Sequence, residues 1–384
     1  MSRRRLAIAA ALVVMAAACS SAGSQSRSAG TTPTTTRPSK RVAVAQPALD
    51  ALADRYRASC KAPGAAIGLR TSDGAEHFAV AGRLAAGVPL TRSSQFLAGS
   101  VTKLFVATVA YQLVAHHDLA LDDPVSKYLP GWPRGDEITL AMLLGHRSGM
   151  GDFGNDFSAQ LRELVLANLK RVYRYDEVLD LVRAVPPVAE PGATYHYSNA
   201  NYIVLGAILQ RVTRETLGEL MQSRVIEPLR ITRTFYGPDN LRATGAVVFH
   251  GLFDIAGSGH PIDIGTFPRA AALTVDPAGA GLFSTIPDLL TFAHALFAGD
   301  RILAPAQRAA LAASVSTLTA RDLLLDRRFS VRGHGGASPG AQTIVAYDSA
   351  HDATVAVWCN RLDPGEQELA PSVVAARGAL ELSI

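Results

Sequence analysis

Strand-forming segments stand at both ends of this chain, and helical ones fill the stretch between. Near the start, residues 65–71 and 77–81 are apolar or alternating runs either side of an Asp73-Gly74 turn, the pattern of a β-hairpin. Near the end, residues 329–332, 341–347 and 353–359 read as three further strands, and 367–382 as a closing helix. Strands so far apart in sequence share a sheet only if the two ends of the chain fold together. The expected class is therefore α+β: an antiparallel sheet flanked by helices, drawn from residues of about 47–95 and 310–384, with a helical lobe of about 96–309 inserted between its halves.

A short amphipathic helix carrying Leu49, Leu52, Ala53 and Tyr56 precedes the hairpin. In the inserted lobe, Leu104, Phe105, Val109, Leu113 and Val114 recur at helical spacing from Val101 onward, and a turn at Leu121-Asp122-Asp123-Pro124 ends that run. Further helices are expected at 138–144, 176–182, 201–229 with a break near Thr213, and 287–296. Residues 243–280 are rich in Gly and Pro with little periodicity. An irregular stretch of that length inside a domain is more often a functional wall or lid than filler.

The 384 residues and 48% apolar content suffice for a sizeable core, but the first 46 residues stand outside it. Three arginines, Arg3 to Arg5, precede thirteen apolar residues, 6–18, too few to span a bilayer, which is the pattern of a secretory signal peptide. Ala16-Ala17-Ala18-Cys19 follows, and it resembles a bacterial lipobox in which Cys19 is lipidated, although Ala16 stands where leucine is commonest. Residues 19–46, rich in Ser, Thr and Pro, are expected to be a disordered tether. The expected location is the outer face of the bacterial cell membrane as a lipoprotein, or otherwise secretion.

Charge follows the same division. Residues 1–46 carry seven basic and no acidic side chains, so removing them from the formal +4 leaves −3 for residues 47–384. Nothing in the domain reads as a nucleic-acid surface, and membrane contact is expected only through the N-terminal anchor. Cys60 precedes one expected strand and Cys359 ends another. If those strands are antiparallel neighbours, the two thiols meet at one sheet end and can form a disulfide in an oxidising compartment.

Chemistry concentrates in three stretches. In Ser100-Val101-Thr102-Lys103 a serine at a helix start and a lysine one turn on bring hydroxyl and amine to one face, where the amine can take the hydroxyl proton and leave a nucleophilic alkoxide. Of five lysines, Lys103 alone has a serine three residues before it. Tyr197-Ser198-Asn199 offers a phenol able to shuttle protons and a carboxamide able to hold a substrate amide. His334-Gly335-Gly336-Ala337 follows an expected strand: the glycines let a substrate lie along the backbone, His334 supplies a positive or hydrogen-bonding group, and the Ala337 N–H can join that of Ser100 as an oxyanion hole.

Ser-x-x-Lys, Tyr-x-Asn and His-Gly-Gly in this order resemble the serine β-lactamase and penicillin-binding superfamily, in its class C β-lactamase and D-Ala-D-Ala carboxypeptidase branch. Leu143-Leu144-Gly145-His146-Arg147-Ser148-Gly149-Met150 and Ala280-Gly281-Leu282-Phe283-Ser284-Thr285 are similar to two further signatures of that family. The resemblance implies a β-lactamase/transpeptidase-like fold over residues 47–384, Ser100 as the acylated nucleophile, Lys103 and Tyr197 sharing the base role, Asn199 on the substrate amide, and no cofactor. It also implies an exported serine hydrolase, first of all a D-Ala-D-Ala carboxypeptidase of penicillin-binding type, with a family esterase or a β-lactamase as alternatives. The chain departs from the branch's β-lactamases where Lys-Thr-Gly is replaced by His334-Gly335-Gly336, which removes a cation and a hydroxyl that would bind a carboxylate.

Rival readings are weaker. Gly336-Ala337-Ser338-Pro339-Gly340 has the form of a nucleophile elbow, yet Pro339 lacks the N–H that such an elbow contributes. His116-His117-Asp118 stands at a helix end without the spacing of a metal site, so no metal is expected. His146 reads as a brace for a helix end. A lipid-tethered binding protein on an inactive hydrolase fold remains the non-enzyme alternative, and it would have no need of Ser100.

Overall fold

The computed structural model describes residues 43–84, 87–152, 159–246, 250–254, 259–315, 318–319, 323, 325–362 and 370–384. The expected signal peptide, the lipobox Cys19 and nearly all of the tether lie outside the described residues. Residues 40–384 gather into one compact unit.

At its centre is the expected antiparallel sheet. Its strands are β1 (Gly64–Arg70), β2 (Glu76–Gly82), β3 (Leu318–Thr319), β4 (Val331–Ser338), β5 (Ala341–Asp348) and β6 (Ala353–Cys359), in the spatial order β2-β1-β6-β5-β4-β3. N- and C-terminal parts meet where β1 pairs with β6, Ala65 opposite Cys359 through Arg70 opposite Thr354. β5 and β6 are buried along their whole length, so their apolar runs are continuous: helices cover both faces.

Helices α1 (Gln46–Ser59) and α5 (Ala370–Glu381) cover one face, where Leu49, Leu52, Ala53 and Tyr56 pack with Ile67, Val355, Val357, Ala376 and Leu380. On the other face lies α4 (Ile286–Phe297), packed so closely that a Cβ at Gly68 would come within 2.5 Å of the Ile286 side chain. That helix, though its sequence position is inside 96–309, therefore covers the sheet. Trp358 points to the same side and stacks on Phe96 with centroids 4.8 Å apart. Beyond it, α2 (Thr102–Ala115) and α3 (Asn199–Thr213) form the middle of the helical lobe; every residue of α2 from Thr102 to Tyr111 is buried.

Three stretches differ from expectation. β4 does not stop at Arg332 but continues through the glycine motif to Ser338, because each of its residues is paired with β5, Ser338 opposite Ala341 through Val331 opposite Asp348. Cross-strand pairing overrides the poor strand propensity of glycine. The α2 helix ends at Ala115, with His116, His117 and Asp118 exposed and His117 in the left-handed region, well before the Leu121–Pro124 turn. Within 243–280, Leu252–Phe253 pairs with Ile262–Asp263 and a helix forms at Ala270–Val275, both too short to show periodicity. No group of His, Cys, Asp and Glu able to hold a metal is found among the described residues, nor any helix long and apolar enough to cross a membrane.

Cys60 and Cys359 are bonded, with Cα atoms 6.7 Å apart, joining the residue that follows α1 to the last residue of β6. The link closes a very long stretch of chain, so replacing both cysteines by alanine is expected to lower stability by about 2–4 kcal/mol. Denaturant titration of native and double-variant protein checks this.

Candidate active site

The backbone turn at Gly99–Val101 ahead of α2 is held from three sides. Ala98 N–H donates to Leu282 O (2.8 Å), and Phe96 and Leu97 pair with Ser284 and Phe283. The Thr102 hydroxyl donates to Gly99 O (2.7 Å) and accepts the N–H groups of Gly281 (3.1 Å) and Leu282 (3.2 Å). The β4 strand passes alongside: a Cβ on Gly336 would lie 2.1 Å from Ala98 O, and one on Gly99, whose φ is +55°, 2.8 Å from Ala337 N. Both positions need glycine, and the approach they permit brings the main chains of Ser100 and Ala337 together.

Ser100 is partly exposed on that turn, whereas Lys103 is wholly buried. Lys103 Nζ donates to Ser100 Oγ at 2.9 Å and to Gly279 O at 3.0 Å. The same amine lies 5.1 Å from the ring centroid of Tyr197 and 5.8 Å from that of Tyr202. The helix-spacing argument for the Ser-x-x-Lys pair thus corresponds to a direct contact, and the phenol of the second motif lies against it.

Tyr197 is positioned by His146. Their rings stack with centroids 4.4 Å apart, and His146 Nδ1 accepts the N–H of Ser198 at 3.2 Å. His146 sits at φ +53° in the tight turn after Leu144, and its carbonyl accepts the N–H of His196, so the two loops are zipped together. Burial, with Lys103 and His334 nearby, pushes its imidazole well below the ordinary value, which favours the neutral ring. The brace expected from sequence is thus also a wall of the site. Ser198 caps α3 by accepting the N–H of Ala200, which puts Asn199 in the first turn, buried, its N–H donating to Asp152 Oδ1 at 3.0 Å.

His334, in mid-β4, is buried with its ring centroid 6.3 Å from that of Tyr197. Its Nδ1 donates to Gly335 O at 2.6 Å. Burial, reinforced by the charge of Lys103, pushes its pKa down to about 3. Of the two roles open to His334, the positive one is thereby disfavoured, and Gly335 beside it carries no hydroxyl.

Sequence reasoning missed Asp276. It is buried, accepts the N–H of Gly279 on Oδ1 at 3.0 Å, and feels the charge of Lys103. Burial raises its pKa to about 6, against the lowering effect of Lys103. The available signal was slight: Asp276 is the one acidic residue between Asp263 and Asp288. The main-chain carbonyl of Gly279, which fixes the lysine, left no signal at all.

A protein-family model described as Beta-lactamase matches residues 49–379. Penicillin-binding protein 4 of Amycolatopsis lactamdurans is 28% identical over 260 residues, 63% of this chain and 61% of that protein. Esterase EstB of Burkholderia gladioli is 34% identical over 153 residues, 38% and 39% of the two chains. The chain thus spans less than two thirds of the length of these curated relatives. Among solved structures, D-amino acid amidase from Ochrobactrum anthropi SV3 superposes with a TM-score of 0.72 at 21% identity, covering 88% of this chain and 98% of that one. The fold is therefore of the β-lactamase/transpeptidase type, as the α+β reading and the resemblance implied.

Asp276 yields a signed expectation. The folded chain keeps its proton up to about pH 6, while the unfolded chain releases it near the model-compound value of 3.8, so folding takes up a proton in that window and the group's contribution to stability declines as pH rises through it. Asp276→Asn is expected to gain melting temperature relative to the native protein at pH 7.5 but not at pH 4, while turnover falls. Calorimetry at the two pH values checks it; an equal difference at both would contradict it.

Proposed function

The chain belongs to the beta-lactamase family, and from that premise we propose that it is an exported serine hydrolase that forms an acyl-enzyme on Ser100 with esters or amides lacking a carboxylate beside the scissile bond. The contact between the buried Lys103 amine and the accessible Ser100 hydroxyl carries this reading. With the Lys103 amine in its unprotonated form, the hydroxyl proton passes to it, directly or through Tyr197, as Ser100 Oγ bonds to the carbonyl carbon. The oxyanion so formed is held by the N–H groups of Ser100 and Ala337, with Asn199 on the substrate amide where there is one. Collapse breaks the bond to the alcohol or amine, which leaves with the returned proton. Water then attacks the ester on Ser100 by the same proton path in reverse.

Neutral His334 and the absence of a hydroxyl at Gly335 favour substrates without that carboxylate. Similarity to an esterase supports the same choice. A D-Ala-D-Ala carboxypeptidase, or a slow β-lactamase, is the second reading, favoured by similarity to a penicillin-binding protein. In either reading the enzyme would act outside the cell membrane, tethered through a lipidated Cys19, on small-molecule or peptidoglycan-peptide substrates.

The purified chain is expected to hydrolyse a p-nitrophenyl ester, to lose about a thousandfold or more of that activity as Ser100→Ala, and to be acylated slowly by benzylpenicillin as read by intact mass. The double variant His334→Lys, Gly335→Thr is expected to speed penicillin acylation at least about tenfold, one restored charge-assisted contact being worth that much. Faster reaction of the native chain with penicillin than with the ester would favour the carboxypeptidase reading instead.

A further inference from the structure

Next to the site is an apolar cavity of about 140 Å³ lined by Val165, Leu169, Phe253, Phe267, Ala272 and Val275. Two more of its wall residues tie it to the chemistry. Asp276 is the acid beside Lys103, and Pro339 lies two residues past Ala337, at the tip of the β4–β5 turn. At the mouth, Phe267 is 38% exposed, and Leu166 on the same wall 42%. Large apolar side chains left in water around an apolar cavity mark a surface that a ligand covers.

We propose that this cavity receives an apolar acyl group of the substrate, of about the size of a phenyl ring or a four- to six-carbon chain. An apolar cavity of about 150 Å³ holds one benzene ring, which sets the size. The acyl side follows from the wall: residues 275–279 run directly into the carbonyl that fixes Lys103, and that amine must stay at the carbonyl carbon through deacylation, when only the acyl part of the substrate remains. The irregular stretch read from the sequence as a functional wall is then the specificity wall of the enzyme. This inference rests on the acyl-enzyme reading and names its substrate class.

Two experiments separate the inference from its premise. With p-nitrophenyl esters of one leaving group, kcat/KM is expected to be at least tenfold higher for hexanoate than for acetate, up to on the order of a hundredfold for four buried methylenes. Ala272→Phe, which fills the mouth from an exposed position on a short helix, is expected to cut that ratio at least tenfold, and Phe267→Ala to cut it by a smaller factor. Because the readout is a ratio within each variant, a general loss of folded protein does not imitate it. Separately, calorimetric titration of the Ser100→Ala protein is expected to show hexanamide binding at least tenfold tighter than acetamide. Selective hexanamide binding with no ester turnover would sink the hydrolase reading and leave the pocket standing. A hexanoate-to-acetate ratio near one, or a ratio that Ala272→Phe leaves untouched, would overturn the pocket.

Discussion

A lysine amine with no access to solvent is the constraint on which this structure turns. The cost of burying Lys103 is offset by polar partners that converge on it, among them the hydroxyl of Ser100 and the carbonyl of Gly279. Ser100 is local to the lysine, but the 276–279 turn lies far along the chain, so the amine is fully satisfied only in the folded state. The ring faces of Tyr197 and Tyr202 close the remaining sides. A group held this way is well placed to move a proton.

The sheet and its helices exist, from the site's point of view, to hold one turn of backbone still. Trp358 on β6 stacks on Phe96, Thr102 ties the turn to Gly281 and Leu282, and β4 runs past it at distances that only Gly99 and Gly336 allow. The disulfide fastens the end of β6 to the segment before β1, on the strand pair where the two ends of the chain meet. The chemistry is therefore assembled from residues near 100, 146, 197, 276 and 336, and the sheet formed by the two ends makes that assembly rigid.

Much of this was legible in the sequence because it is local. Ser100 and Lys103 follow from helical spacing, the strands from alternating or continuous apolar runs, and Cys60 with Cys359 from the expected strand pairing. What was illegible is what depends on cross-chain approach. Strand β4 extends through its glycines because β5 pairs with it, a fact that no propensity at 333–336 contains. Asp276 joins the site by accepting the N–H of Gly279, whose carbonyl takes the Lys103 amine, and His146 lies under Tyr197 because His196 N–H reaches back to its carbonyl. The protonation of His334, left open as positive or hydrogen-bonding, depends on burial and on Lys103, neither of which one sequence displays.

The central claim is that Ser100 is the nucleophile and that Lys103 makes it one. The most direct measurement is the rate at which an uncharged alkyl fluorophosphonate labels the chain, read by intact mass and by the mass of the peptide bearing Ser100, in native protein and in Lys103→Ala. The account predicts a single adduct on Ser100, formed about a hundredfold or more faster in the native protein, in line with the contribution of a positioned base. Labelling at another serine, or equal rates with and without the lysine amine, would contradict it.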